Sequence, residues 1–346
     1  MTQAFPELGC YVLPGGAADP RVALDEVRTA EELGLGTAFI SERWNVKETA
    51  SLTGAMGAVT SRITISTGAT NWNLRHPVVT AAWASTQHLM TEGRFVLGLG
   101  RGIKPLFDAF GLRTATTAEL EDFAGVMRRL WNGEVIANHD GPIGRYPALV
   151  LERSFRLQIP MSLMAFGKQS LELGGRAFDE VVLHTFFADE TLQRCVRTVK
   201  QAAERAGRDP ASVRVWSVFA TLSDDLAPEE LLRRSVGRLA TYLQVYGDLL
   251  VATNEWDPAA LARFREHPIV VAYGTTMLDA KATTAELEAI AEVIPAEWLA
   301  PAAYGTPTQC AAAVARQREL GADAVILHGV AAQDLTDIVA AYRALT

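Results

Sequence analysis

Glycines and charged side chains gather in five short loops, each directly after an apolar run. Glu42-Arg43-Trp44 follows Thr37–Ser41, and Gly68-Ala69-Thr70-Asn71 follows Ile63–Thr67. Gly100-Arg101-Gly102 follows Phe95–Leu99, Phe166-Gly167-Lys168-Gln169-Ser170 follows Met161–Ala165, and His184-Thr185 closes the run from Glu180. Glycine has no side chain to hold a ligand away, so such loops bring backbone amides close to whatever binds there. The loop Ala165–Ser170 opens onto a helix whose free N–H groups and partial positive charge suit an anion, and Lys168 adds a full charge. Arg43 effectively never deprotonates, so beside Glu42 it offers fixed charge rather than proton exchange. Trp44 either walls a pocket or closes a rim. His184 and His328 each end an apolar run and are either ligand contacts or satisfied core histidines. His88 falls within a helix, and His139 and His267 fall in loops. No two histidines have helical metal-ligand spacing, and no carboxylate set suggests a metal, so the expected site is metal-free.

These loops need a scaffold that gathers them. Three segments share one grammar: Ala30-Glu31-Glu32-Leu33-Gly34, Leu171-Glu172-Leu173-Gly174-Gly175 and Arg318-Glu319-Leu320-Gly321 each precede a short apolar strand. Each reads as a helix closed by a glycine in the left-handed conformation. Asp19-Pro20 and Thr306-Pro307 read as caps with proline at the first helical position, the first followed by an inward stripe of Leu24, Val27, Ala30 and Leu33. Strands without a polar face need cover on both sides, as in a parallel sheet wrapped by helices. No glycine fingerprint of the dinucleotide type follows the first strand, so an α/β TIM barrel is expected over an open sheet.

Eight strands are expected near Leu8–Leu13, Thr37–Ser41, Ile63–Thr67, Phe95–Leu99, Met161–Ala165, Glu180–His184, Arg214–Phe219 and Ala324–His328. Active sites of such barrels lie at the strands' carboxyl ends, where these loops and Pro14-Gly15-Gly16 fall. The whole chain, 1–346, reads as a single domain with insertions near 103–158 and 223–305. The first carries a helix at Leu120–Trp131 and a hairpin turning at Asp140-Gly141-Pro142. The second is helical, with Leu232, Val236, Leu239, Leu243 and Tyr246 on one face, placed to cover the barrel mouth or to pack elsewhere.

The net charge of −8 and the absence of a basic stripe argue against a nucleic-acid partner. Cys10, Cys195 and Cys310 have no paired spacing and read as idle buried thiols. No charged-then-apolar leader and no apolar run of membrane-spanning length is present, so the expectation is a cytoplasmic protein.

The order of these pieces, from Ile63 through the glycine turn, Arg75-His76-Pro77 and Gly98-Leu99-Gly100-Arg101-Gly102, resembles the luciferase-like monooxygenase superfamily, and within it the branch that uses the deazaflavin coenzyme F-420. The resemblance implies a tricyclic ring docked across a TIM-barrel mouth and its phosphate at Ala165, Phe166, Gly167 and Lys168, with Arg101 and Lys104 adding positive charge. It puts Gly68, Ala69, Thr70 and Asn71 beneath the ring, with a non-prolyl cis peptide between Gly68 and Ala69. Gly100, Arg101, Gly102 and His184 complete the implied cofactor contacts, and Glu42, Arg43 and Trp44 the catalytic set. Arg43 stands where the branch usually has histidine, and Glu42 where it has aspartate. The implied reaction is hydride transfer between F-420 and a small organic substrate in a homodimer. The alternatives are a two-component monooxygenase using flavin mononucleotide (FMN) on the same barrel and a non-catalytic flavin-binding protein.

Overall fold

Short apolar strands with no solvent face close on themselves. In the computed structural model, which describes residues 4–14, 19–44 and 46–345, eight parallel strands form a barrel: β1 (Phe5–Tyr11), β2 (Leu35–Ile40), β3 (Thr64–Thr67), β4 (Phe95–Leu99), β7 (Met161–Met164), β8 (Glu180–Val182), β9 (Arg214–Ser223) and β11 (Ala324–His328). The antiparallel hairpin β5 (Ile136–Gly141) and β6 (Gly144–Leu149) stands outside, and β10 (Ala303–Gly305) extends the sheet beyond the far end of β9. Pairing runs from β1 through β2, β3, β4, β7, β8, β9 and β11 back to β1, so no barrel edge is open. The expected TIM barrel is therefore the fold. Gly15 and Gly16 lie outside the described residues.

Phe39, Val182, Trp216, Val218, Ala324 and Ile326 fill the barrel interior, with Tyr11 and Met164 packed on them. The Trp216 indole meets Phe39 edge-on at 5.1 Å and donates from Nε1 to Glu180 Oε2 at 2.9 Å. This plug is the floor on which the mouth rests.

Several local expectations are corrected. The helix Lys168–Ala177 does not stop at Gly174-Gly175 but runs through both. A Cβ on Gly174 would stand 2.4 Å from Val181 Cγ2, and one on Gly175 would stand 2.2 Å from the Val199 carbonyl, so close packing, not termination, requires them. Gly34, by contrast, does close its helix at φ 88°. That helix, Val22–Leu33, begins after Asp19-Pro20; Arg21 is its cap residue, and Asp19 instead binds Arg21. Its inward stripe is Ala23, Glu26, Val27 and Ala30, with Leu24 and Leu33 half-buried. Gly141 pairs with Gly144, so the hairpin turns at Pro142-Ile143, and His139 lies in a strand rather than a loop. β9 runs four residues past Phe219. β1 and β8 end short of Leu13 and His184, the former because Leu13 takes φ 50° and gives its N–H to Glu26.

The segment between β9 and β10 is helical. Its longest helix, Arg238–Asn254, buries Leu239 and Leu243 in a core shared with β8, β9 and the helix Asp189–Arg205. Tyr246 leaves helical geometry at φ −147°, ψ 34°, so it departs from the leucine face, and its hydroxyl reaches His184. Among the described residues no helix is long and apolar enough to cross a membrane.

Candidate active site

The carboxyl ends of β2, β3 and β4 form a fastened, charged side. Glu42 has a fully buried side chain, and Arg75 meets it with two N–H groups at 2.9 and 3.0 Å. Thr49 donates to it from N at 3.3 Å and from Oγ1 at 3.1 Å, and the Thr70 hydroxyl makes a further, short bond. Arg75 also reaches Glu48, which caps the helix Thr49–Ala58 through the N–H groups of Ala50 and Ser51. A buried carboxylate requires such partners. Glu42 thus ties β2 to the turn after β3 and does not line the cavity.

The Gly68–Ala69 peptide bond is cis, at the position the resemblance indicated. A Cβ on Gly68 would come within 3.2 Å of the Tyr11 ring, so bare backbone abuts the cavity wall there. Asn71 Nδ2 donates to the Gly100 carbonyl at 2.8 Å and locks this turn to the loop after β4. Gly102, at φ 90°, has the Phe107 ring where a side chain would lie. Phe107 and Phe110 pack on Trp44 with centroids 5.0 and 5.5 Å away, so Trp44 belongs to an aromatic cluster at the rim.

Arg101 is half-buried and donates only to neutral acceptors: Ser170 Oγ at 2.9 Å, the Ala115 carbonyl at 3.0 Å and Thr117 Oγ1 at 2.7 Å. It thereby joins the loop after β4 to the first turns of two helices, and burial pushes its pKa down. Gly167 caps one of those helices without a side-chain acceptor for its N–H groups. Lys168 points outward, largely exposed, and pairs with Glu172.

The ends of β1, β7, β8, β9 and β11 form the other side, around a cavity of ≈ 150 Å³. Of the expected residues it gathers Ala165, Phe166 and His184; it adds Tyr11, Tyr242 and His328. His184 Nδ1 donates to the Thr185 carbonyl at 2.9 Å, so Nε2 is left to accept from the Tyr246 hydroxyl at 2.9 Å. Phe166, tilted, and Tyr242, edge-on, pack about this imidazole with centroids at 4.4 and 4.8 Å. Burial lowers the His184 pKa to about 4, so the ring is neutral at physiological pH. Burial first, then the charges of Arg238 and Arg43, lowers that of His328 to about 3.

Arg43 stands at the junction of the two sides. Its backbone bridges Lys47, and its charge acts on Tyr11, Tyr246 and His328. Among the described residues it has no ion-pair partner. Lys47 is itself buried: Nζ donates to the Leu13 carbonyl at 2.6 Å, while Glu26 accepts from the Leu13 N–H at 2.6 Å. Burial first, then Arg43, lowers the Lys47 pKa to about 8.

Sequence reasoning missed Tyr11, Tyr242 and Lys47, and placed Tyr246 with the packing leucines. An i, i+4 tyrosine pair in a segment expected near the mouth was the available signal for Tyr242 and Tyr246; their rings stack at 5.4 Å. Nothing in the sequence marked Lys47.

The model of the luciferase-like monooxygenase family matches residues 4–324, and the chain belongs to that family. It is 29% identical over 231 residues to the phthiodiolone/phenolphthiodiolone dimycocerosates ketoreductase of Mycobacterium tuberculosis, covering 64% of this chain and 60% of that protein. The chain thus spans about three fifths of that relative's length. It is 27% identical over 240 residues to the 5,10-methylenetetrahydromethanopterin reductase of Methanolobus tindarius, covering 68% of this chain and 71% of that one. Among solved structures, the coenzyme F-420-dependent tetrahydromethanopterin reductase of Methanopyrus kandleri superposes with a TM-score of 0.80 at 17% identity, over 96% of this chain and 97% of that chain. The family match and the superposition together show a TIM barrel of the luciferase-like monooxygenase family.

Proposed function

We propose that this protein is an oxidoreductase that uses coenzyme F-420 and acts on a small organic substrate held in the aromatic cavity. The observation that carries the reading is a charge imbalance. In a chain of net charge −8, Arg43 and Arg101 flank the mouth with no carboxylate partner among the described residues. A planar heterocycle with an anionic tail fits that arrangement. The bare backbone at Gly68 offers a flat seat beside Tyr11, and the uncapped helix start at Gly167 with Arg101 offers an anion seat. The methylenetetrahydromethanopterin reductase relative supports a reductase reading.

When bound, the deazaflavin supplies or accepts the hydride, and the chain's share is positioning and exclusion of water. Gly68, Ala69, Thr70 and Asn71 form the seat, which Glu42 fixes through Thr70; Glu42 is therefore a positioning residue. Ala165, Phe166, Gly167 and Lys168, with Gly100, Arg101 and Gly102, bound the tail. His184 stays neutral and holds Tyr246 over the cavity. Arg43 contributes fixed positive charge where a substrate or reduced ring develops negative charge.

Parallel fluorescence titration of oxidised F-420 and of FMN tests the reading. Tighter binding of F-420 is expected. Preference for FMN, with oxygen consumption once the flavin is reduced, establishes the monooxygenase instead, and silence with both establishes a barrel that binds neither.

A further inference from the structure

We propose that Tyr11 Oη and His328 Nδ1 form a pair of hydrogen-bond donors that holds the substrate's oxygen atom, the carbonyl oxygen of a small ketone or the hydroxyl of the corresponding secondary alcohol. The proposal rests on the oxidoreductase reading for its substrate, and on geometry for its residues.

His328 ends β11 and lines the cavity. Its Nδ1 is buried and has no protein partner, whereas Nε2 lies 3.5 Å from the Tyr242 hydroxyl. A neutral imidazole has one donor and one acceptor nitrogen, so the partner of Nε2 decides which role Nδ1 takes. Arg238, held by Asp279 at 2.8 Å, lies against Tyr242. A guanidinium only donates, so the Tyr242 oxygen turns its lone pairs toward Arg238 and its O–H toward His328 Nε2. The imidazole proton is thereby left on Nδ1. Burial first, then the charges of Arg238 and Arg43, keeps the ring from taking a second proton.

Tyr11 meets the His328 ring edge-on at 5.5 Å, also lines the cavity, and its hydroxyl has no hydrogen-bond partner among the described residues. His184 offers no competition, because both its nitrogens are engaged. The remaining wall includes Met164, Val182, Leu183 and Val218, and no carboxylate lines it. A buried polar atom without a partner is costly, and two donors facing one apolar hollow are satisfied together by a single oxygen with two lone pairs.

The test has two readouts independent of turnover. Nitrogen-15 NMR of histidine-labelled full-length protein, with His328 assigned by its loss in His328→Asn, is expected to show a neutral ring protonated at Nδ1 at pH 7. A ring protonated at Nε2 overturns the proposal. Infrared spectra of carbonyl-labelled 2-butanone are then recorded with the protein, with and without F-420. The bound carbonyl band is expected at lower frequency in the wild type. His328→Asn, whose amide N–H falls near the position of Nδ1, is expected to keep this shift. His328→Leu is expected to lose it and to bind the ketone about tenfold more weakly, and Tyr11→Phe to lose part of it. An equal shift in wild type and His328→Leu overturns the pair. F-420 affinity, titrated in the same variants, is expected to change by less than about twofold. Failure of the wild type to bind F-420, with the tautomer and carbonyl shift intact, would remove the cofactor reading and leave the donor pair standing.

Discussion

The two sides of the barrel mouth bury polar groups in opposite ways. On the side of β2, β3 and β4, charge is met with charge or dense hydrogen bonding: Glu42 by Arg75, Thr49 and Thr70, and Arg101 by three neutral oxygens. On the side of β8, β9 and β11, the groups are neutral aromatics, and the buried His328 Nδ1 is left without a protein partner. The first arrangement is rigid and holds a shape. The second keeps unused hydrogen-bonding capacity in a low-dielectric pocket, where such capacity is worth most. On the first side the Glu42–Arg75 pair is framework, whereas the second side is lined by uncharged groups.

The comparison is tested most severely at Arg75. Arg75→Met leaves the Glu42 carboxylate buried without its main partner and should cost about 3–5 kcal/mol, read as a fall in the urea midpoint. A cost near zero would show that the fastened side is not fastened. Next comes acid. His184 titrates near 4 in the fold against 6.5 for the free side chain, so between those values the unfolded chain binds more protons than the native one. The stabilisation from keeping His184 neutral is therefore complete above pH 6.5 and is lost as pH falls through 4. At about 1.4 kcal/mol per unit the loss is about 3 kcal/mol. His328 extends the window toward 3. Tm measured against pH should fall across this range, and His184→Gln should flatten the slope; an unchanged slope would deny the aromatic side its neutral histidine.

A smaller effect is expected at Tyr246→Phe, which removes the donor to His184 Nε2 and should cost about 1–2 kcal/mol by denaturant titration. The smallest belongs to Lys168. It is exposed in its pair with Glu172, so Lys168→Ala should leave stability within about 0.5 kcal/mol. The same change should weaken F-420 binding while leaving kcat at saturation in place. A drop in kcat with unaltered affinity would remove Lys168 from the anion seat.

These contrasts also explain what the sequence revealed. The barrel was legible because strands such as Phe95–Leu99 and Ala324–Leu327 are apolar throughout, which only a doubly covered sheet tolerates. The turn at Gly68 was legible because it lies within a few residues of its own strand. Gly174 and Gly175 misled because a glycine that closes a helix and one that admits a neighbour look identical in sequence. Tyr242 and Tyr246 meet His184 and His328 across about sixty and ninety positions, and no local pattern encodes such a meeting. The partnership of Lys47 with Leu13 depends likewise on a close approach that neither residue's neighbours announce.

One consequence follows from β9 running on beyond the barrel to meet β10. Thr221–Ser223 run parallel to Ala303–Gly305, so the chain leaves for its long helical excursion at one end of this ladder and re-enters at the other. The helical segment, residues 224–302, is therefore clamped at both ends to one three-residue ladder. Because it also buries Leu239 and Leu243 in a core shared with β8 and β9, it is braced on the ring below as well as tied to it.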